Sequence, residues 1–226
     1  RHCRVAEIAA IIAFCGSYEF DLNNKTYINV STENLTVAMK YFMLLEKTFR
    51  IRPEVTVRNN HKIFSYHIIV KEADSVEKIL KAIKVIDDNG VLKLSDDLTD
   101  KILVQNTCCK RAFLRGVFMA AGSITDPNKS YQFEIIAGSE SNAVTIQEMF
   151  KTFGIDSKCT LRKKNYIVYV KESAQISDIL NIMEAHVALM KLENLRILKE
   201  LRNTVNRRVN CETANINKVL NSSRKQ

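Results

Sequence analysis

Only two prolines and six glycines occur in 226 residues, which excludes collagen-like and Pro/Gly-rich low-complexity chains and leaves few enforced breaks. No uninterrupted apolar run approaches the roughly 18 residues of a membrane span. The most apolar early stretch, from Val5 to Phe14, is broken by Glu7 and lacks the small-residue cleavage region of a signal peptide. The cysteines (Cys3, Cys15, Cys108, Cys109, Cys159, Cys211) form no C-x-x-C pair, and His2, His61, His67 and His186 sit at no zinc-finger spacing. Several cysteines have apolar neighbours, where a free thiol acts as a small hydrophobe, which fits a reducing cytoplasm. Only Lys110 and Arg111 lie near enough to activate the adjacent Cys108 and Cys109, a weak redox signal. There is no glycine-rich phosphate loop, no G-x-S-x-G and no H-E-x-x-H, and His67 has no assignable acid or nucleophile. No metal or cofactor is expected. The chain lacks an initiator Met and ends in Arg224-Lys225-Gln226, which reads as a fragment.

What is present is an ordinary globular composition, 46% hydrophobic and 26% charged, with length for one large domain or two smaller ones. The net charge of +9 is unevenly placed. Between residues 196 and 226 eight basic residues face only Glu200 and Glu212, giving +6, whereas the other 195 residues carry +3. A solvated helix face explains such a run as readily as a polyanion site does.

The chain also repeats itself. Val70-Lys71-Glu72 returns as Val170-Lys171-Glu172 and Ile79-Leu80 as Ile179-Leu180, an offset of 100. Phe49, Ile51, Thr56 and Arg58 return as Phe153, Ile155, Thr160 and Arg162, an offset of 104, and Cys15-Gly16-Ser17 as Ala121-Gly122-Ser123, an offset of 106. Drifting offsets are what unequal loops produce, so two divergent copies of one unit are expected.

Periodicity reads each copy in the same order. In the first, a helix over 4–14 stops at Gly16 and a hairpin turns at Asn23-Asn24. A helix over 33–49, capped by Ser31 or Thr32, precedes a second hairpin of 55–58 and 63–70. A helix over 74–86 closes before Asn89-Gly90. In the second, helices over 110–121, 140–153 and 174–183 enclose hairpins of Ile124 with 131–137 and of 158–162 with 166–170. The fold class is therefore α+β: two pseudo-symmetric αββαββα repeats, residues 1–92 and 93–185, with helices on one face of each antiparallel sheet. A helical extension follows over 186–226, helix to Val209 with Leu189, Leu192, Leu195 and Leu198 apolar, then linker or short helix. Ala9 with Ala13, and Gly116 with Ala120, place small side chains on one face of each opening helix. That predicts close docking of the halves about a pseudo-twofold axis.

The opening helices and the repeated unit resemble the LAGLIDADG homing-endonuclease fold. The run from Arg111-Ala112-Phe113-Leu114-Arg115-Gly116 to Ala121-Gly122-Ser123, with Asn206-Arg207-Arg208-Val209-Asn210-Cys211-Glu212-Thr213-Ala214-Asn215, is similar to the WhiA family of bacterial sporulation and cell-division regulators. That resemblance implies an endonuclease-like domain leading to a helix-turn-helix domain beyond this chain, and a cytoplasmic, nucleoid-associated protein. In the endonucleases an acid just before the last glycine of each opening helix binds the divalent metal. Those positions are Cys15 and Ala121, and the earlier acid falls on Ala13 and Met119, none with the hard oxygen ligand that Mg²⁺ requires. Glu19 and Asp126 lie nearby on the hairpins. No catalysis is expected.

Double-stranded DNA is the expected partner, with other transcription or cell-division proteins as further candidates. Alternation places Val55, Val57, Phe64, Tyr66, Ile68 and Val70 toward the helices. It leaves Thr56, Arg58, His67 and Lys71 on the open face with Lys62 in the turn, and Arg162, Tyr169 and Lys171 in the second copy with Lys163 and Lys164 in the turn. Arg202, Arg207 and Arg208 rank ahead of these for phosphate contact. A magnesium-dependent endonuclease and a pure protein-interaction module remain the alternatives.

Overall fold

Small apolar residues without a breaker carry α1 from His2 to Cys15, and a similar run carries α4 from Thr107 to Ala121. The structure, a computed structural model, describes residues 1–20, 26–60, 63–87 and 101–223. The turn at Asn23-Asn24, Asn89-Gly90 and Lys62 lie outside the described residues. The two helices lie directly against each other. A Cβ on Gly116 would stand 2.7 Å from Ala10 Cβ and 2.7 Å from the Glu7 carbonyl oxygen, so only glycine permits this approach. Ala10 and Gly116 each lie six residues before the glycine that ends their helix. Equivalent positions therefore meet on the pseudo-twofold axis. Both end glycines are extended (φ −89° at Gly16, −94° at Gly122), and Gly16 is required because a Cβ would lie 2.4 Å from the Ile12 carbonyl oxygen.

Each opening helix feeds a four-stranded antiparallel sheet. In the first half β1 (Gly16–Phe20), β2 (Thr26–Thr32), β3 (Glu54–Asn60) and β4 (Ile63–Val70) take the order β1-β2-β4-β3. In the second, β5 (Gly122–Ile124), β6 (Phe133–Ala137), β7 (Lys158–Arg162) and β8 (Asn165–Val170) take the order β5-β6-β8-β7. The registers correspond: Ile28 faces Val70 as Phe133 faces Val170. Helices α2 (Leu35–Phe49) and α3 (Ala73–Ala82) cover one face of the first sheet, and α5 (Glu140–Lys151) and α6 (Ser173–Ile182) one face of the second. A short 3₁₀ turn, Lys101–Val104, precedes α4. Tyr41, Leu45, Val76 and Ile79 bury Ile28, Val30, Ile68 and Val70 in one core. Ile146, Phe150, Ile176 and Ile179 bury Phe133, Ile135, Val168 and Val170 in the other, to which α1 contributes Ala6 and Ala10. The two-copy α+β reading holds.

Four local expectations are corrected. The side chain that caps α2 is Asn34, whose Oδ1 accepts from Thr36 N at 2.9 Å, because β2 runs through Ser31 and Thr32 and pairs them with β4. Helix α3 ends at Ala82, where Lys84 turns left-handed (φ 62°), as Glu184 does after α6 (φ 61°). Val55, Val57 and Phe64 do share the helix-facing side with Ile68 and Val70, but they are left half exposed rather than covered. Finally, α7 runs unbroken from His186 to Ser223, with no linker at Asn210 among the described residues. No glycine or proline follows Gly154, so nothing in the backbone stops it. At about 1.5 Å per residue it is about 57 Å long. Leu192 is buried and Leu189 packs beside it, whereas Leu198 is exposed and every described residue from Glu200 to Ser223 is solvent-facing.

Candidate nucleic-acid interface

The ends of α1 and α4 bring together the positions that the endonuclease resemblance assigns to metal, and the chemistry there is soft and uncharged. Cys15 Sγ donates to the Ala120 carbonyl at 3.3 Å across the seam, and burial pushes its thiol up. Ala121, Ala13 and Met119 offer no oxygen ligand. The two nearest acids identified from sequence are committed elsewhere. Glu19 accepts from Asn29 Nδ2 at 2.7 Å, Tyr27 Oη at 2.5 Å and Ser17 Oγ at 2.9 Å. These bonds, Asn29's foremost, hold its carboxyl down to about 2. Asp126 accepts from the backbone and the side-chain nitrogen of Asn128, both at 3.0 Å, which lowers it too.

The open sheet faces carry the expected cations, and Arg58, Lys71, Arg162 and Lys171 each lie beside a countercharge or a ring. Arg162 Nη2 lies 3.5 Å from Glu134 Oε1, and Lys71 Nζ 2.5 Å from Glu54 Oε2. Lys171 sits over the Tyr169 ring, 5.3 Å from its centroid. Arg58 contributes to holding Glu19 ionised. Lys163 and Lys164 project from the β7–β8 turn, where Lys163 is left-handed (φ 58°). The face also has apolar ground: Ile167 is buried within it and Ile136, beside it, is exposed.

On α7 the balance differs. Near its root, Arg196 pairs with Glu193 at 2.7 Å, and Lys199 donates to the Pro127 carbonyl and covers the Tyr131 ring at 4.6 Å. Beyond that point every described residue of the helix is solvent-facing. Arg202, Arg207 and Lys218 have no ion-pair partner there, while Arg208 pairs with Glu212 at 3.1 Å one turn on. Arg202 and Arg207 are thus better placed for an external anion than Arg208.

Sequence reading missed two constellations along the seam. Buried Glu7 takes a two-pronged contact from Arg115, Nε to Oε1 at 3.1 Å and Nη2 to Oε2 at 2.8 Å. Lys40 lies 3.5 Å from Glu7, and Arg115 also reaches Glu184 at 3.0 Å. Glu7 raises the already high pKa of the guanidinium, fixing its charge. An acid interrupting the apolar run of one docking helix, and an arginine beside the close-approach glycine of the other, were the available signals. The second constellation joins the starts of the same two helices: His2 and Cys3 meet Cys108 and Cys109. Burial foremost, then the charges of Cys3 and Cys108, push the Cys109 thiol up to about 11, so as a free thiol it stays protonated at neutral pH.

Comparison with known proteins agrees with this architecture. Residues 1–86 match the family model of the WhiA N-terminal LAGLIDADG-like domain, and residues 110–202 that of the WhiA LAGLIDADG-like domain. The chain is 48% identical to the "Probable cell division protein WhiA" of Lachnoclostridium phytofermentans, covering 100% of this chain and 73% of that protein. It is 43% identical to the protein of the same name from Thermoanaerobacter pseudethanolicus, covering 99% and 71%. Among solved structures, full-length DUF199/WhiA from Thermatoga maritima superposes with a TM-score of 0.64 at 19% identity, over 88% of this chain and 60% of that one. The homing endonuclease I-DmoI in complex with DNA and Mn superposes with a TM-score of 0.58 at 10% identity, over 80% and 97%, a likeness of fold.

Proposed function

Because the chain belongs to the WhiA family, we propose that it is the non-cleaving, endonuclease-derived part of a DNA-binding regulator of cell division and sporulation. Residues 1–92 and 93–185 form one pseudo-twofold unit, and residues 186–226 form a cationic arm that leads toward a helix-turn-helix domain. The observation that carries this reading is the contrast between paired and unpaired cations. Sheet-face Arg162 and Lys71 are matched by carboxylates of their own surface, whereas Arg202 and Arg207 stand on the solvent-facing stretch of α7 with no ion-pair partner among the described residues. Phosphate contact supplies affinity without sequence choice, so the arm positions the protein on duplex DNA and leaves base reading to other parts. The charge-balanced, partly apolar sheet faces suit contact with another transcription or cell-division protein.

The test is a titration of the chain with mixed-sequence duplex DNA across a salt series. Neutralised phosphates impose a logarithmic slope of about −0.9 each, so Arg202, Arg207 and Lys218 together predict a slope near −3. Reversing Arg202 and Arg207 to Glu lowers its magnitude by about 2, whereas reversing Arg162 and Lys171 changes it little. A salt-insensitive interaction, or equal losses from both pairs, overturns the ranking. Supercoiled plasmid with Mg²⁺ stays intact. Cleavage abolished by Glu19→Ala or Asp126→Ala overturns the non-catalytic reading.

A further inference from the structure

From the first turns of α1 and α4, which start side by side at the end of the seam remote from the glycine tips, we infer that His2, Cys3, Cys108 and Cys109 form a structural zinc site that clamps the two halves. Four ligand atoms, one from each residue, lie within 4.8 Å of one another. His2 Nδ1 is 3.1 Å from Cys109 Sγ, 3.3 Å from Cys3 Sγ and 3.9 Å from Cys108 Sγ. A tetrahedral zinc with bonds of about 2.3 Å to sulfur and about 2.0 Å to nitrogen has edges of about 3.5–3.8 Å, so the His2 separations need change only by tenths of an ångström and no pair of ligands by more than about 1 Å. Three thiolates and one imidazole are a closed set typical of structural zinc, and their softness disfavours magnesium and calcium.

The placement follows from the duplication. Counted from the end glycines Gly16 and Gly122, His2 is the counterpart of Cys108 and Cys3 of Cys109, so each half contributes an equivalent pair across the pseudo-twofold axis. Cys109 is buried against the second core, Cys3 is half-buried, and His2 and Cys108 form the outer rim. Neither helix has an acid in its first turn, so two positive helix ends face the site with no carboxylate of their own to offset them. A zinc held by three thiolates carries one net negative charge there, which both dipoles favour. Binding exchanges the three thiol protons to solvent for one Zn²⁺, with no change of oxidation state.

The experiment uses the whole chain, reduced, stripped with chelator, and carrying any affinity tag at its C-terminus away from His2. Titration with Co²⁺ is expected to give one equivalent of uptake, with the intense visible bands of tetrahedral cobalt and thiolate charge transfer, both displaced by Zn²⁺. Cys108→Ser and His2→Ala change exposed residues and leave the fold intact by circular dichroism. Each is expected to weaken cobalt binding by more than about the 10–100-fold seen on losing an outer hydrogen-bond partner of a metal ligand. Zn²⁺ raises the melting temperature of the parent chain and not of these variants, while Cys159→Ser and Cys211→Ser bind as the parent does. No uptake at micromolar metal, weak octahedral cobalt bands, or undiminished binding in Cys108→Ser overturns the site. A disulfide among Cys3, Cys108 and Cys109 persisting in reductant, with no metal uptake, overturns it equally.

Discussion

The two repeats share every strand order and register and differ where they meet each other and the solvent. At the seam, Glu7 of the first half corresponds to Phe113 of the second, and Arg115 of the second to Ala9 of the first. The ion pair is therefore asymmetric: docking two first halves would bury two Glu7 carboxylates with no guanidinium between them. Outside, counted from the capping residues Asn34 and Ser139, the exposed Leu35, Met39 and Met43 of α2 become Glu140, Val144 and Glu148 in α5. Interior spacing is held by the demands of one core shape, while seam and surface have been free to specialise. The seam decides which halves pair, and the surfaces decide what the pair meets.

If the seam charges specify that pairing, removing one must cost far more than an ordinary surface ion pair. Arg115→Ala leaves the Glu7 carboxylate, 2% exposed, facing only the Lys40 ammonium at 3.5 Å. The expected loss is about 3–5 kcal/mol in urea unfolding. Exchanging the charges, Glu7→Arg with Arg115→Glu, recovers part of it. A loss under about 1 kcal/mol for Arg115→Ala would make the halves electrostatically interchangeable and break the comparison. The axis contact comes next. Gly116→Ala gains roughly 1 kcal/mol of helix propensity but drives a methyl group into Ala10 and the Glu7 backbone, for a net loss of about 1–2 kcal/mol. Adding Ala10→Gly relieves the side-chain clash and restores part of the stability.

Much of this was legible in the sequence, for particular reasons. The hairpins and buried helix faces follow from two periodicities, and Gly116 announced the close approach because glycine is costly inside a helix without one. The length of α7 was hidden by Asn203, Asn206, Asn210, Asn215 and Asn217. Asparagine is a weak helix former, yet it removes no hydrogen bond, so a run of asparagines lowers propensity without ending the helix. The thiol–imidazole cluster was hidden by distance: its two pairs are about a hundred residues apart, and local spacing rules look only nearby. The offset of 106 that aligned Cys15-Gly16 with Ala121-Gly122 also aligns His2-Cys3 with Cys108-Cys109. The signal was therefore in the repeat, and not in any motif.

The outer faces should matter little to folding if they are free to diverge. Met39 is 57% exposed, so Met39→Glu is expected to change stability by no more than about 0.5 kcal/mol, measured by the urea midpoint. A larger loss would mean that the apolar stripe of α2 belongs to the first half's core, and the surface contrast with α5 would narrow.

The smallest effect separates the two sheets. Glu19 is held by three donors of its own sheet, whereas Glu134, on the second, takes a Gln132 amide and the Arg162 guanidinium. With the Glu19 carboxyl near 2 in the folded chain against an ordinary value of 4.5, the folded state favours its ionised form. Its stabilisation is present in full above pH about 4.5 and is lost as the pH falls toward 2, because the unfolded chain takes up the proton first. Glu19→Gln keeps an acceptor for Asn29 and removes the titration, so the acid-side fall in stability should flatten in that window and the neutral-pH value should drop only slightly. If the acid limb of the variant overlays that of the parent, the three donors do not favour the carboxylate. The first sheet would then lose its claim to an internally satisfied acid, and Glu19 would again be free to serve as a ligand at the helix tips.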